Sequence, residues 1–187
     1  MNLDYPVKVV RSRRKTLSAQ IDKGTVLVKV PVRTSEEQIL TFLQAHDRWI
    51  RRHLERDAQT REEAALEGIL NDAQIRALAE QAVQVIPPKA AAYARRIGVS
   101  PGRITIRNQR TRWGSCSAKG NLNFNCLLML CPDEVIDSVV VHELAHLTEM
   151  NHSPRFYAEV RRVFPEYDRW HGWLKKNGSA LLARLPE

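Results

Sequence analysis

Between Gln81 and Pro132 the sequence has no acidic residue, yet that window holds eight basic ones: Lys89, Arg95, Arg96, Arg103, Arg107, Arg110, Arg112 and Lys119. The rest of the chain is balanced, 21 basic against 21 acidic, so the formal net charge of +8 resides in this window. Such an excess concentrates anions nearby and suits a nucleotide, a nucleic acid or an acidic substrate. On charge alone a solvated basic face is the plainer reading.

Long apolar runs are also missing. No stretch approaches the roughly 18 residues of a membrane span, and "MNLDYPVKVVRSRRK" has no apolar core of signal-peptide length. The expectation is a cytoplasmic protein with no membrane partner. Cysteine is scarce: Cys116, Cys126 and Cys131 form no CxxC pair, which argues against a disulfide framework and a cysteine zinc site. Free thiols are expected, with Cys116 beside a motif described below.

What remains is a chain of 187 residues, 43% hydrophobic, long enough to bury a substantial core. A single α+β domain over 1–187 is expected, with a β lobe at 1–33, a helical part at 34–98 and a third part at 99–187. "VKVV", "TLSAQI" and "TVLVKVP" predict a small antiparallel sheet that turns at Asp22-Lys23-Gly24. A helix over about 35–57 follows from the cap at Thr34 and Ser35 and the apolar spacing from Ile39 to Leu54. Residues 57–70 read equally as its extension or as a linker. A second helical stretch, 72–97, must kink or restart at Pro87-Pro88 and closes at Gly98. "RITIRN" predicts a strand, and "NLNFNCLLML" a half-buried strand after a turn at Lys119-Gly120. Pro132 opens the next helix, with Asp133 and Glu134 favourable at its positive end.

That helix carries "VVVHELAHLTEMNHSPRF", residues 139–156. His142 and His146 lie one turn apart on one stripe, and Ile136, Val140, Leu144 and Leu147 make another stripe apolar. Burying two imidazoles and a carboxylate without partners costs several kcal/mol. Ligation of Zn²⁺ satisfies the imidazoles, and Glu143 then faces the water, the arrangement expected of HExxH in a zinc hydrolase. Catalytic zinc takes three protein ligands and an open position. His152 is favoured as the third, because Asn151 tolerates a left-handed helix end and Ser153-Pro154 starts the next helix. Glu159 or Glu166 on a later helix is the alternative, and Glu149 stands where a metzincin has glycine. His46, His53 and His171 read as solvent or packing residues. The aromatic residues of "FYAEVRRVFPEYDRWHGWLKKNG", two helices parted at Pro165, read as core.

Together with the upstream "RWGSCSAKGNLNFN" and the amino-terminal "RSRRKTLS", this stretch resembles the YgjP-like zinc metallopeptidase domain, whose distant relatives include the SprT-like proteins. The resemblance runs in order through most of the chain and is weakest over 57–71. It implies a zincin-like fold, zinc on His142, His146 and His152, and Glu143 as the catalytic glutamate. It also implies that the hairpin "RTRWGSCSAKGNLNFN" bounds the cleft, which makes Arg112, Trp113, Ser115, Asn123 and Asn125 candidate substrate contacts. The competing reading for each is a core Trp113 and solvent-facing asparagines.

Three functions compete. In the first, water activated by zinc and Glu143 attacks a peptide carbonyl. In the second, the same site and a basic cleft, with Mg²⁺ as an added metal, split a nucleoside triphosphate such as UTP into UMP and pyrophosphate, an activity also ascribed within the family. Against it stand the histidine ligands and the lack of a glycine-rich phosphate loop. The third, a nucleic-acid-binding module with structural zinc, requires a fourth ligand that the sequence does not offer.

Overall fold

The computed structural model describes residues 3–186. The chain divides into two compact units, 1–66 and 67–187, and the boundary falls inside the helical part expected over 34–98.

In the first unit, strands β1 (Val7–Ser12), β2 (Ser18–Asp22) and β3 (Thr25–Pro31) precede helices α1 (Glu36–Ala45) and α2 (Asp47–Glu67). The sheet order is β1-β3-β2, with β2 antiparallel and β1 parallel to β3. The expected all-antiparallel sheet is therefore corrected to a mixed one. The most apolar strand takes the centre: Val26, Val28 and Val30 of β3 are fully buried against Ile39, Leu43 and Ile50. Central placement lets alternate residues of one strand reach the helices while both outer strands stay wet. Ser35 and Gln38 form the capping box of α1.

The helix predicted over 35–57 is broken at His46, whose ring Nδ1 bonds the Phe42 carbonyl at 2.7 Å. Asp47 then opens a new helix at the end where a negative charge is favourable, and α2 runs on through the ambiguous 57–67.

The second unit holds the longest helix, α3 (Asp72–Ile97), then β4 (Ile104–Arg107), β5 (Gly114–Cys116), β6 (Leu122–Asn125) and a short 3-10 helix (Cys126–Leu130). Helices α4 (Asp133–Ala145), α5 (Pro154–Val163) and α6 (Tyr167–Ala183) complete it. Helix α3 does not restart at Pro87-Pro88. The two missing N–H groups leave the carbonyls of Val83 and Gln84 without intrahelical donors, and both residues are exposed, so water can serve them. Gly98 ends the helix in the left-handed conformation, φ 84°.

One stripe of α3, Ala82, Ile86, Ala90 and Ala94, packs in the core with Leu122 and Phe124 of β6 and with Val135, Val139 and Val140 of α4. Alanine at three of these four positions lets α4 come close, and α4 is buried on most of its surface. The second sheet has the order β4-β6-β5, and β5 and β6 are the expected hairpin. The strand predicted over 121–130 stops at Asn125, whose side chain accepts from the Leu127 N–H at 3.1 Å and caps the 3-10 helix. Cys126, Leu127 and Leu128 are buried in succession, which a helical turn allows and a half-exposed strand does not.

Candidate metal centre and adjoining cavity

Helix α4 delivers His142 in its last turn, and His146 is the residue that caps it. The chain reverses over 147–153, and Ser153 caps α5 through the Phe156 N–H with Pro154 in the first turn, as expected. Asn151 is not left-handed; among the described non-glycine residues only Lys23 has positive φ. The reversal is instead held by the Ser153 N–H donating to the Asn151 carbonyl at 2.8 Å.

This bend returns His152 to His142, with their Nε2 atoms 3.0 Å apart. One donor atom from each of His142, His146 and His152 lies within 4.8 Å of the others, the one such cluster among the described residues. Two nitrogens on a tetrahedral ion at about 2.0–2.1 Å would stand about 3.3 Å apart, so the spacing fits a shared ion.

The outer nitrogens are committed. His146 Nδ1 lies 3.2 Å from the Glu149 carbonyl, and His142 Nδ1 lies 2.8 Å from the Tyr167 hydroxyl. A carbonyl only accepts, so His146 carries its proton on Nδ1 and turns the Nε2 lone pair inward. Burial and the neighbouring imidazoles push His142 down to about 3, which keeps it neutral and ready to ligate. All three rings also rest on Phe156, with centroids 4.6–4.9 Å away. Three converging imidazole nitrogens at this spacing suit zinc.

Glu143 is 6% exposed and has no hydrogen bond among the described residues. Burial raises its carboxyl to about 7. It lies against the backbone of Gly114 in β5, where an added Cβ would come within 2.5 Å of Oε1. That contact explains why glycine stands in the RWGS stretch. Gly178 of α6 does the same for Trp113, whose Nε1 would be 3.0 Å from a Cβ there.

Beside Glu143 opens a cavity of ≈ 230 Å³ between α4, α6 and residues 111–114. Its walls include Val139, Leu174 and Trp113, and its polar groups include His142, Glu143, Arg112 and His171. The candidate contacts therefore separate. Trp113 is half-buried, packing on the core and lining the cavity at once. Arg112 is exposed at the cavity, with no ion pair or side-chain hydrogen bond among the described residues. Ser115 and Asn123 bond each other across the hairpin at 3.2 Å and do not line it. Asn125 is fully buried, its amide donating to the carbonyls of Gln109 and Arg112. It shapes the segment before β5 and is closed to a ligand.

The alternative ligands Glu159 and Glu166 lie outside the cluster and pair with Arg162 and Arg169. The basic window is dispersed: Lys89 bridges Asp133 and Asp137, Arg96 bonds the Val163 carbonyl, and Arg110 bonds the Pro186 carbonyl. Of its eight cations only Arg112 lines the cavity. The three cysteines are free, and burial raises each thiol, with the Glu143 charge adding to the effect at Cys116.

Sequence reasoning missed Phe156, Tyr167 and His171 as parts of this site. Tyr167 and His171 are four residues apart on α6, the spacing that stacks two rings, and their centroids are 5.0 Å apart.

No helix among the described residues is long and apolar enough to cross a membrane. No curated protein matches the chain. The solved structures similar to part of it include two metallopeptidase zymogens. The metallopeptidase zymogen jannalysin of Methanocaldococcus jannaschii is 21% identical with a TM-score of 0.44, over 49% of this chain and 94% of that one. The metallopeptidase zymogen abylysin of Pyrococcus abyssi is 23% identical with a TM-score of 0.44, over 49% of this chain and 93% of that one. The family model described as the YgjP-like metallopeptidase domain matches residues 15–75 and 69–177, and the chain belongs to that family.

Proposed function

We propose that this protein is a zinc-dependent peptidase in which His142, His146 and His152 hold the metal and Glu143 is the general base. The observation that carries the reading is Glu143 itself: a buried, unpartnered carboxyl beside three converging imidazoles, on the wall of a cavity. Zinc bound there supplies two things, a water acidified toward neutrality and a positive charge that polarises a carbonyl.

The chain supplies the rest. Gly114 lets β5 press on Glu143 and fix its carboxylate, which is placed to take a proton from water and to return it to a departing amine. Tyr167 orients the His142 ring through Nδ1, and the Glu149 carbonyl holds His146 in the ligating tautomer. Val139, Leu174 and Trp113 offer an apolar wall that excludes water, and Arg112 offers a cation to a substrate carbonyl or carboxylate.

Three ligands rather than four support a catalytic over a structural metal. The scattering of the basic window supports peptide over nucleotide, because one cation at the cavity is a thin cradle for a triphosphate. The reading is tested by incubating wild type and Glu143→Gln with a peptide mixture and with nucleoside triphosphates, under Zn²⁺ and under Mg²⁺, and identifying products by mass spectrometry. Peptide fragments that depend on Glu143, with turnover lowered about 10²–10⁴-fold in the variant and metal content unchanged, are expected. Glu143-dependent pyrophosphate without peptide cleavage would replace this reading with the nucleotide one.

A further inference from the structure

His171 is the fourth imidazole of the site and stands apart from the ligand cluster. It projects from α6 into the cavity that Glu143 lines from α4. Its ring is stacked on Tyr167 at 5.0 Å and 17°, and lies parallel to His142 at 6.2 Å and 6°. Its nitrogens make no hydrogen bond among the described residues, whereas the outer nitrogens of His142 and His146 are both committed. The face of this imidazole is thus packed, while its nitrogens are uncommitted to any hydrogen bond among the described residues and feel the charges of Lys175, Asp168 and His152. A half-buried donor with a packed ring and no hydrogen-bond partner among the described residues, on a wall of the cavity that a general base also lines, is suited to a ligand atom that arrives only with substrate.

We propose that His171 is a catalytic residue that donates a hydrogen bond from a ring N–H to the substrate carbonyl oxygen as that oxygen becomes an oxyanion. The inference rests on the peptidase reading. As water oxygen bonds to the carbonyl carbon, its proton passes to Glu143 and the C=O π electrons move onto the oxygen facing α6. His171 stabilises that charge without giving up its proton. When the C–N bond breaks, the π bond re-forms, the proton held by Glu143 goes to the leaving amine, and the hydrogen bond from His171 weakens again. Such a donor acts on the transition state more than on the ground state, so it belongs in kcat rather than KM.

The test uses the full-length protein loaded with zinc. His171→Phe keeps a ring against Tyr167 and removes the donor; His171→Gln returns an N–H. For His171→Phe we expect kcat lower on the order of 10²-fold with KM changed less than about threefold, and partial recovery in His171→Gln. Zinc stoichiometry and affinity, measured by competition with a chromophoric chelator, should equal those of wild type. Calorimetric affinity for a phosphinic peptide, which mimics the tetrahedral oxyanion, should fall by the same factor as kcat/KM. Weakened zinc binding in His171→Phe would make the residue a metal ligand and overturn the proposal, and unchanged kcat would reduce it to packing. A wild-type protein with no Glu143-dependent peptide cleavage would instead sink the peptidase reading itself, and this proposal with it.

Discussion

At the scale of single residues the site depends on atoms that are missing as much as on those present. Gly114 has no side chain because Glu143 occupies the space where one would be. Gly114→Ala should push the carboxylate aside and lower kcat/KM on the order of 10²-fold while leaving zinc content intact, since the three atoms nearest an added Cβ all belong to Glu143. Steady-state kinetics with metal analysis decides it; loss of zinc in that variant would show that the strand supports the ligands as well. Glu143 makes a second, thermodynamic prediction for protein stripped of metal. Its folded carboxyl is raised from 4.5 to about 7, so between those pH values the folded chain holds a proton that the unfolded chain has released. The stability it contributes is complete below about pH 4.5 and is lost as pH rises through 7. Glu143→Gln has no such titration, and its stability relative to wild type should grow by about 3 kcal/mol between pH 4 and pH 8. Urea unfolding of both proteins with chelator present measures the difference; a constant difference would mean that the carboxylate has a partner after all.

At the scale of elements, α4, its cap and the bend after it carry the candidate ligands that sequence spacing can show, and α5 and α6 contribute what spacing cannot. His142, Glu143, His146 and His152 fall within eleven residues, so one helical period and one bend suffice to bring the three imidazoles together, and that convergence was legible. Tyr167, His171 and Phe156 reach the site only because their helices pack with particular faces inward, a matter of tertiary rotation rather than local pattern. The same distinction explains the sheets. Alternation identified the strands of the first unit, but not that β1 would run parallel to β3, because pairing partners are chosen by burial across the chain. Pro87 and Pro88 announced a break that exposure of the freed carbonyls made unnecessary. Asn125 fitted the alternation of β6 and proved to be a cap and a brace. Helix α6 has its own test. Tyr167→Phe removes the oxygen that holds His142 Nδ1, and zinc affinity should fall about 10–100-fold with the fold retained, as read by chelator competition and circular dichroism. Unaltered affinity would show that ring packing alone orients His142.

At the scale of the whole molecule, every candidate ligand, every committed outer nitrogen and the entire cavity lie within 67–187. That unit has its own core along α3 and α4. A chain cut to residues 67–187 should therefore bind one zinc per molecule, and zinc at a hundred times its Kd should stabilise it by about 2.7 kcal/mol. Thermal melts with and without metal test this, and failure to bind would place a requirement for the site in 1–66. Within the unit, α6 has Tyr167 against a ligand, His171 and Leu174 on the cavity, and Gly178 under Trp113. These four attachments face three different neighbours, yet they share one screw axis. Each inserted or deleted residue would swing everything beyond it by about 100° and slide it by about 1.5 Å. The helix can vary in its outward letters but not in its length between Tyr167 and Gly178, so over those twelve positions divergence in this lineage should proceed by substitution and never by indel.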